Sequence, residues 1–305
     1  MSEELTQLVK EHLRRQVPIE AKRMADAIAQ EHGSCVAAVL FYGSCLRDQT
    51  VDGVLDFYVL VDDYKSFHSS RLGAVANSLL PPTVTYRDCG YARAKIAIIS
   101  ARDFANRMQP SSADTTLWAR FCQPAALLYS REFQANSATC EAIADAITTA
   151  IIWSKRLSAE EDNSSVLWKG LFRHTYGAEL RVEDGKGRGD AIYTQSQEYF
   201  DALLEPALAK AKTKSDQKVW GVDKQRRENG AYRRAWRRKS VCGKALNIFR
   251  LTKAAFTFEQ KVEYIQWKVE RHTGEPLKLT EFQKNYPLLN APVILWQLWR
   301  KGAVR

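Results

Sequence analysis

A chain of 305 residues, 45% hydrophobic and 26% charged, has enough apolar material for a sizeable core and is neither disordered nor of low complexity. Its longest apolar runs, Ala146–Trp153 and Pro292–Trp299, fall short of the ~20 residues that cross a bilayer. The net charge is +10, and the segment Lys210–Lys253 alone carries 15 Lys/Arg against three acids, so the basicity is local and points to an anionic surface, phospholipid headgroups or nucleic acid.

In chain order, Leu5, Leu8, Val9, Leu13, Met24, Ala25 and Ile28 recur at helical spacing and predict one or two amphipathic helices up to Glu31, interrupted near Pro18. The acidic start Met1-Ser2-Glu3-Glu4 has no apolar secretory stretch, so a soluble, non-secreted protein is expected. Cys35–Tyr42 is a continuous apolar run of strand length that ends in Gly43-Ser44. Val54–Val61 predicts a second strand, and Thr83–Tyr86 follows the turn at Pro81-Pro82. Ala94–Ile99 predicts another strand.

From Ser100, a capped start with Asp103 at the third helical position, the texture turns helical through Ala113–Phe121 and Ala138–Arg156. After the polar break Glu160–Ser165 it continues to about Leu208, with Gly185–Gly189 read as a loop. The basic segment comes next, then an amphipathic helix with Phe258, Val262, Ile265 and Val269 on one face, and a tail carrying Trp296 and Trp299. The six cysteines, at 35, 45, 89, 122, 140 and 242, form no C-x-x-C pair. Reduced thiols are expected, with no disulfide scaffold or zinc site.

The chemistry centres on a strand ending in Gly43-Ser44 and a following strand carrying Asp56. Such a turn lets backbone approach a triphosphate, while the carboxylate holds Mg²⁺ against the same phosphates. A second acid at the alternate position would point to the same face, but those positions hold Val54 and Tyr58. Asp62 shares the parity of Asp56, about 20 Å along a regular strand.

Several short motifs in order then show a resemblance. Tyr42-Gly43-Ser44-Cys45, Leu55–Asp63, the pair Phe67-His68, and Lys95–Ser100 with Asp103 come first. Trp118–Pro124 and Tyr176–Arg181, with Glu183, Asp184 and Lys186 after it, complete the series between about residues 40 and 190. Together they resemble the mitochondrial translocator-assembly-and-maintenance family of phosphatidate cytidylyltransferases, within the DNA polymerase beta-like nucleotidyltransferase superfamily. The chain departs from that pattern at Cys45 (family Gly), Phe67 (Trp), Gln123 (Lys) and Glu179 (Asp), and Arg71 and Asn77 are the nearest matches to an Asn-rich stretch, so it looks like a divergent bacterial-type branch.

The resemblance implies an α/β (α+β) fold, with a nucleotidyltransferase domain on a mixed sheet at 1–130, a mainly helical domain at 131–208 and a basic, aromatic-rich region at 209–305. It implies transfer of a cytidylyl group from CTP to phosphatidic acid, with Mg²⁺ as cofactor. Gly43, Ser44, Tyr42 and Arg181 are expected at the nucleotide, and Asp56, Lys95 and Arg120 at the reacting phosphates. Asp56 would hold the metal, with Asp62 or Glu179 as second acid. His68 reads either as a base or as a structural histidine; a lipid phosphate is already deprotonated and needs little base help.

With no spanning segment, such an enzyme must meet its lipid at the surface. Arg233, Arg234, Trp236, Arg237 and Arg238, with Trp220 and Tyr232 interleaved, are the expected contacts to an anionic membrane from the cytoplasmic side. The alternatives are an RNA-directed nucleotidyltransferase that uses the same basic segment, and a degenerate nucleotide-binding protein without turnover. No RNA-binding motif is present, so nucleic acid is not the expected partner.

Overall fold

The computed structural model describes residues 2–157, 163–178, 185–214, 230–257 and 280. Helices α1 (Ser2–His12) and α2 (Ile19–His32) are separated at Pro18, which caps the start of α2. They lead into a five-stranded sheet of order β3-β4-β2-β1-β5. All seven residues of β1 (Val36–Tyr42), an interior strand, are buried, which explains its unbroken apolar run. It pairs antiparallel with β2 (Val54–Val61) and with β5 (Ala125–Ser130). β2 lies parallel to β4 (Arg93–Ser100), and β3 (Thr83–Asp88) closes the other edge antiparallel to β4. The parallel pair requires a crossover. Here it contains α4 (Tyr64–Phe67), α5 (Arg71–Leu79) and β3 itself.

Alternation along the strands sends side chains to two cores. Val39, Phe41, Phe57, Val59 and Ile98 pack against α2 and the short α3 (Ser44–Arg47). Leu40, Tyr42, Tyr58, Leu60 and Ile99 face the opposite layer. That layer is built from α1, α6 (Ala101–Arg107), α7 (Thr115–Phe121), α8 (Phe133–Leu157), α9 (Ser164–Ala178), α10 (Gly185–Gln195) and α11 (Gln197–Lys214). The fold is therefore a mixed α/β sheet followed by a helical region, and one continuous core joins the two. Among the described residues no helix is long and apolar enough to cross a membrane. All six cysteines are free.

Two elements differ from the sequence expectation. β5 was not foreseen, although Ala125–Tyr129 is an apolar run of strand length just after Pro124. Gly185–Gly189 opens a helix instead of forming a loop. A side chain at Gly189 would meet the Phe172 Cβ at 3.1 Å, so the glycine there serves close approach of α10 to α9. The Phe258–Val269 face and Trp220, Trp296 and Trp299 lie outside the described residues.

The second half of the basic segment forms α12 (Ala231–Thr257), which lies against α7, α9 and β3. Its inward face carries Trp236, 8% exposed among Trp118, Trp153 and His174. That corrects the expectation that Trp236 meets a membrane: the ring is consumed by the core. Arg233, Arg234, Arg237 and Arg238 are exposed on the outer side of the same helix.

Candidate active site

β1 ends where Gly43 takes φ +92°, a backbone conformation that residues with a Cβ rarely hold. The turn starts α3, whose first residue is the exposed Ser44. Buried Cys45 donates its thiol to the Val54 carbonyl at 3.5 Å, tying α3 to the first residue of β2. Two residues along β2, Asp56 stands directly opposite Tyr42 in the antiparallel register. A Cβ on Gly43 would lie 2.7 Å from the Asp56 Oδ2. The glycine thus opens the space in which the carboxylate sits.

Three cations share that end of the sheet. Lys95 is the register partner of Asp56 on the parallel strand β4, and its side chain is exposed. Arg120, in the last turn of α7, donates from Nη1 to the Tyr58 hydroxyl at 3.2 Å and lies over the Tyr42 ring at 5.3 Å. Arg47, the last residue of α3, is the third. Burial pushes the Asp56 carboxyl above the usual carboxylate range, while Lys95, Arg120 and Arg47 pull against that rise. One acid among three bases is an electropositive cluster suited to a polyphosphate.

The sequence placed Asp56, Lys95, Arg120, Gly43 and Ser44 in one site, and the fold brings their positions together. Arg47 was missed; its signal was a basic residue one helical turn after the Gly-Ser turn. Tyr42 does not reach toward a nucleotide. Its ring is 9% exposed and packed on Tyr58 and Phe121, so it supports Arg120 from below. Asp62 is carried to the opposite end of β2, where Arg131 grips it through both Nη1 (2.6 Å) and Nη2 (3.2 Å). It is not brought to Asp56. Asp63 caps α4 by accepting from the backbone N–H groups of Lys65 and Ser66. His68 Nε2 lies 3.0 Å from the Asn77 amide nitrogen, which also donates to the Ile98 carbonyl, and burial holds the imidazole below its ordinary pKa. That is a structural histidine behind the sheet. Glu179 and Arg181, with Glu183 and Asp184, lie outside the described residues.

The donor set decides what metal the site suits. Among the described residues no group of three His, Cys, Asp or Glu side chains could hold an ion. Asp56 alone, ringed by cations, does not make an all-protein metal site. It does fit a Mg²⁺ that keeps its waters and arrives with phosphate oxygens, since that ion commonly takes one or two carboxylates beside its substrate.

No family model and no curated protein matches the chain. Among solved structures, the chain is similar to a nucleotidyltransferase-like protein from Exiguobacterium sibiricum, at 13% identity over 92% of this chain and 91% of that one, with a TM-score of 0.30.

Proposed function

We propose that the chain transfers a nucleotidyl group from a nucleoside triphosphate, with CTP as donor and phosphatidic acid as acceptor. The observation that carries the reading is the Gly43 turn opening onto Asp56 with Lys95, Arg120 and Arg47 around it. A turn that only glycine holds, one carboxylate and three cations form a cradle for a chain of phosphates. The resemblance of the motifs between residues 40 and 190 to phosphatidate cytidylyltransferases supplies the substrate pair.

In this reading Arg120 and Lys95 bind the triphosphate, orient its α-phosphorus and offset its charge. A lipid phosphate oxygen forms the new bond to that phosphorus as the bond to the bridging oxygen breaks, and pyrophosphate leaves. The attacking phosphate is already an anion, so no base is required. Asp56 is the residue that would hold Mg²⁺, which when bound neutralises charge on the phosphates. The exposed Arg233, Arg234, Arg237 and Arg238 give α12 an outer face suited to an anionic leaflet, at about 1 kcal/mol for each basic residue near the surface.

A second reading has its own support. A lone carboxylate is a sparse acid set, and it favours a protein that binds nucleotide without turnover. Pyrophosphate release is the test, with Mg²⁺, each of the four ribonucleoside triphosphates, and vesicles with or without phosphatidic acid. Release that requires both CTP and the lipid supports the transferase. Nucleotide binding with no release under any combination selects the second reading.

A further inference from the structure

We infer that Arg250, on helix α12 and far along the chain from the site, is a positioning residue for Arg120. The inference rests on reading the Gly43–Asp56 centre as a triphosphate site.

Asp114 is the residue through which Arg250 holds α7. Its carboxylate is 1% exposed and caps the start of α7 by accepting from the Thr116 N–H at 3.0 Å. A buried carboxylate is costly unless it is paired. Two guanidinium groups meet it: Arg107 through Nη1 at 3.0 Å, and Arg250 through Nη2 at 2.5 Å. Burial by itself would push the Asp114 carboxyl up, yet Arg250, Arg107 and the Thr116 N–H together hold it below its ordinary range. Arg250 is itself 13% exposed and donates from Nε to the Pro81 carbonyl at 2.9 Å. One side chain therefore bolts the first turn of α7 to the entrance of β3.

The last turn of the same short helix carries Arg120. A seven-residue helix spans about 10 Å, and its backbone hydrogen bonds tie the first turn to the last. A shift at its Asp114 end therefore reappears at Arg120, and 1 Å is enough to harm a phosphate contact. The two ends also meet through Tyr58. Its buried hydroxyl accepts from Arg120 and lies within the electrostatic reach of Arg250 and Asp114. Tyr58 projects from the same face of β2 as Asp56, two residues away. Lys253 fastens α12 beside this point, donating from Nζ to the Pro82 carbonyl at 2.9 Å and to the Thr83 hydroxyl at 3.1 Å. The link from α12 to the site is thus a packed chain of charge pairs and one helix, and Arg250 is its outermost member.

The test is a double-mutant cycle read by CTP binding to the full-length protein. Arg250→Gln is expected to weaken binding roughly three- to tenfold, with Arg250→Lys recovering most of the loss. Fold should survive, because Asp114 keeps Arg107 and its capping bond. In an Arg120→Gln background the Arg250→Gln penalty should vanish, since its route to the ligand is gone. Faster amide exchange across Thr115–Phe121 in Arg250→Gln should accompany the loss. Arg173→Gln, which removes an exposed pair with Asp190, is the control for charge alone. If wild type binds CTP and Arg250→Gln binds equally well, or if its penalty persists without Arg120, the inference falls and the triphosphate reading stands. If wild type binds no CTP, the triphosphate reading falls and takes the inference with it.

Discussion

A Cβ placed on Gly43 would stand 2.7 Å from the Oδ2 of Asp56, closer than real side chains approach one another. The relationship couples a backbone choice on one strand end to a carboxylate on the next, and it makes position 43 doubly demanding. Gly43→Ala is expected to lose turnover by displacing Asp56. It should also destabilise the fold by about 1–3 kcal/mol for the forced positive φ. Thermal unfolding and pyrophosphate release on the same preparation check both.

Asp56 is held at a cost. Burial raises its folded pKa above the unfolded value, so the folded state favours the protonated form. The penalty is absent below the unfolded carboxylate pKa and grows as pH rises through the window between the two values. Asp56→Asn should therefore unfold at a higher temperature than wild type at neutral pH, and the gain should fade as pH is lowered. Turnover in the same variant should fall by at least about 10²-fold, the scale of losing one preorganised charge at a reacting phosphate. Melting curves across pH test the first statement, and initial rates the second.

Lys95 faces Asp56 across the parallel register and is the strongest of the three cations holding its pKa down. Removing that charge in Lys95→Met lets the carboxyl titrate higher. The acid limb of the rate profile should move to higher pH in the variant. An unmoved limb would mean that the limb reports some other group.

The two faces of α12 should separate under mutation. Trp236 is packed among Trp118 and Trp153, so Trp236→Ala is expected to cost about 3–5 kcal/mol of stability. Arg237→Glu with Arg238→Glu, on the exposed side, should leave the unfolding free energy within about 0.5 kcal/mol of wild type while abolishing sedimentation with anionic vesicles. Retained vesicle binding would move the lipid contact elsewhere.

How much of this was legible beforehand follows from the range of the forces. The strands β1, β2 and β4 announced themselves because buried strands need apolar runs bounded by turn residues, β3 by following the turn at Pro81-Pro82, and Ser100 signalled its helix by the side chain that now accepts from the Asp103 N–H. Gly43 and Asp56 were legible from a Gly-Ser turn after one apolar strand and an acid inside the next, whereas Lys95 was picked out only by the motif resemblance. What was hidden is partnership at long range. Whether Asp62 meets a phosphate or Arg131 depends on which end of β2 it occupies and on a residue 69 positions away. Tyr42 looked like a ligand contact in a motif but is spent as packing beneath Arg120. Trp236 sits among arginines in sequence, yet helical periodicity turns it inward while they face out.

If the site around Asp56 transfers a cytidylyl group to a lipid phosphate, label from CTP must enter the lipid. The most direct measurement follows radiolabelled CTP into the lipid phase, using Mg²⁺, phosphatidic acid vesicles, wild type and Asp56→Asn. Wild type is expected to form a labelled liponucleotide one-for-one with pyrophosphate, and the variant none. Equal labelling by the variant, or no labelled lipid from a wild type that binds CTP, would contradict it.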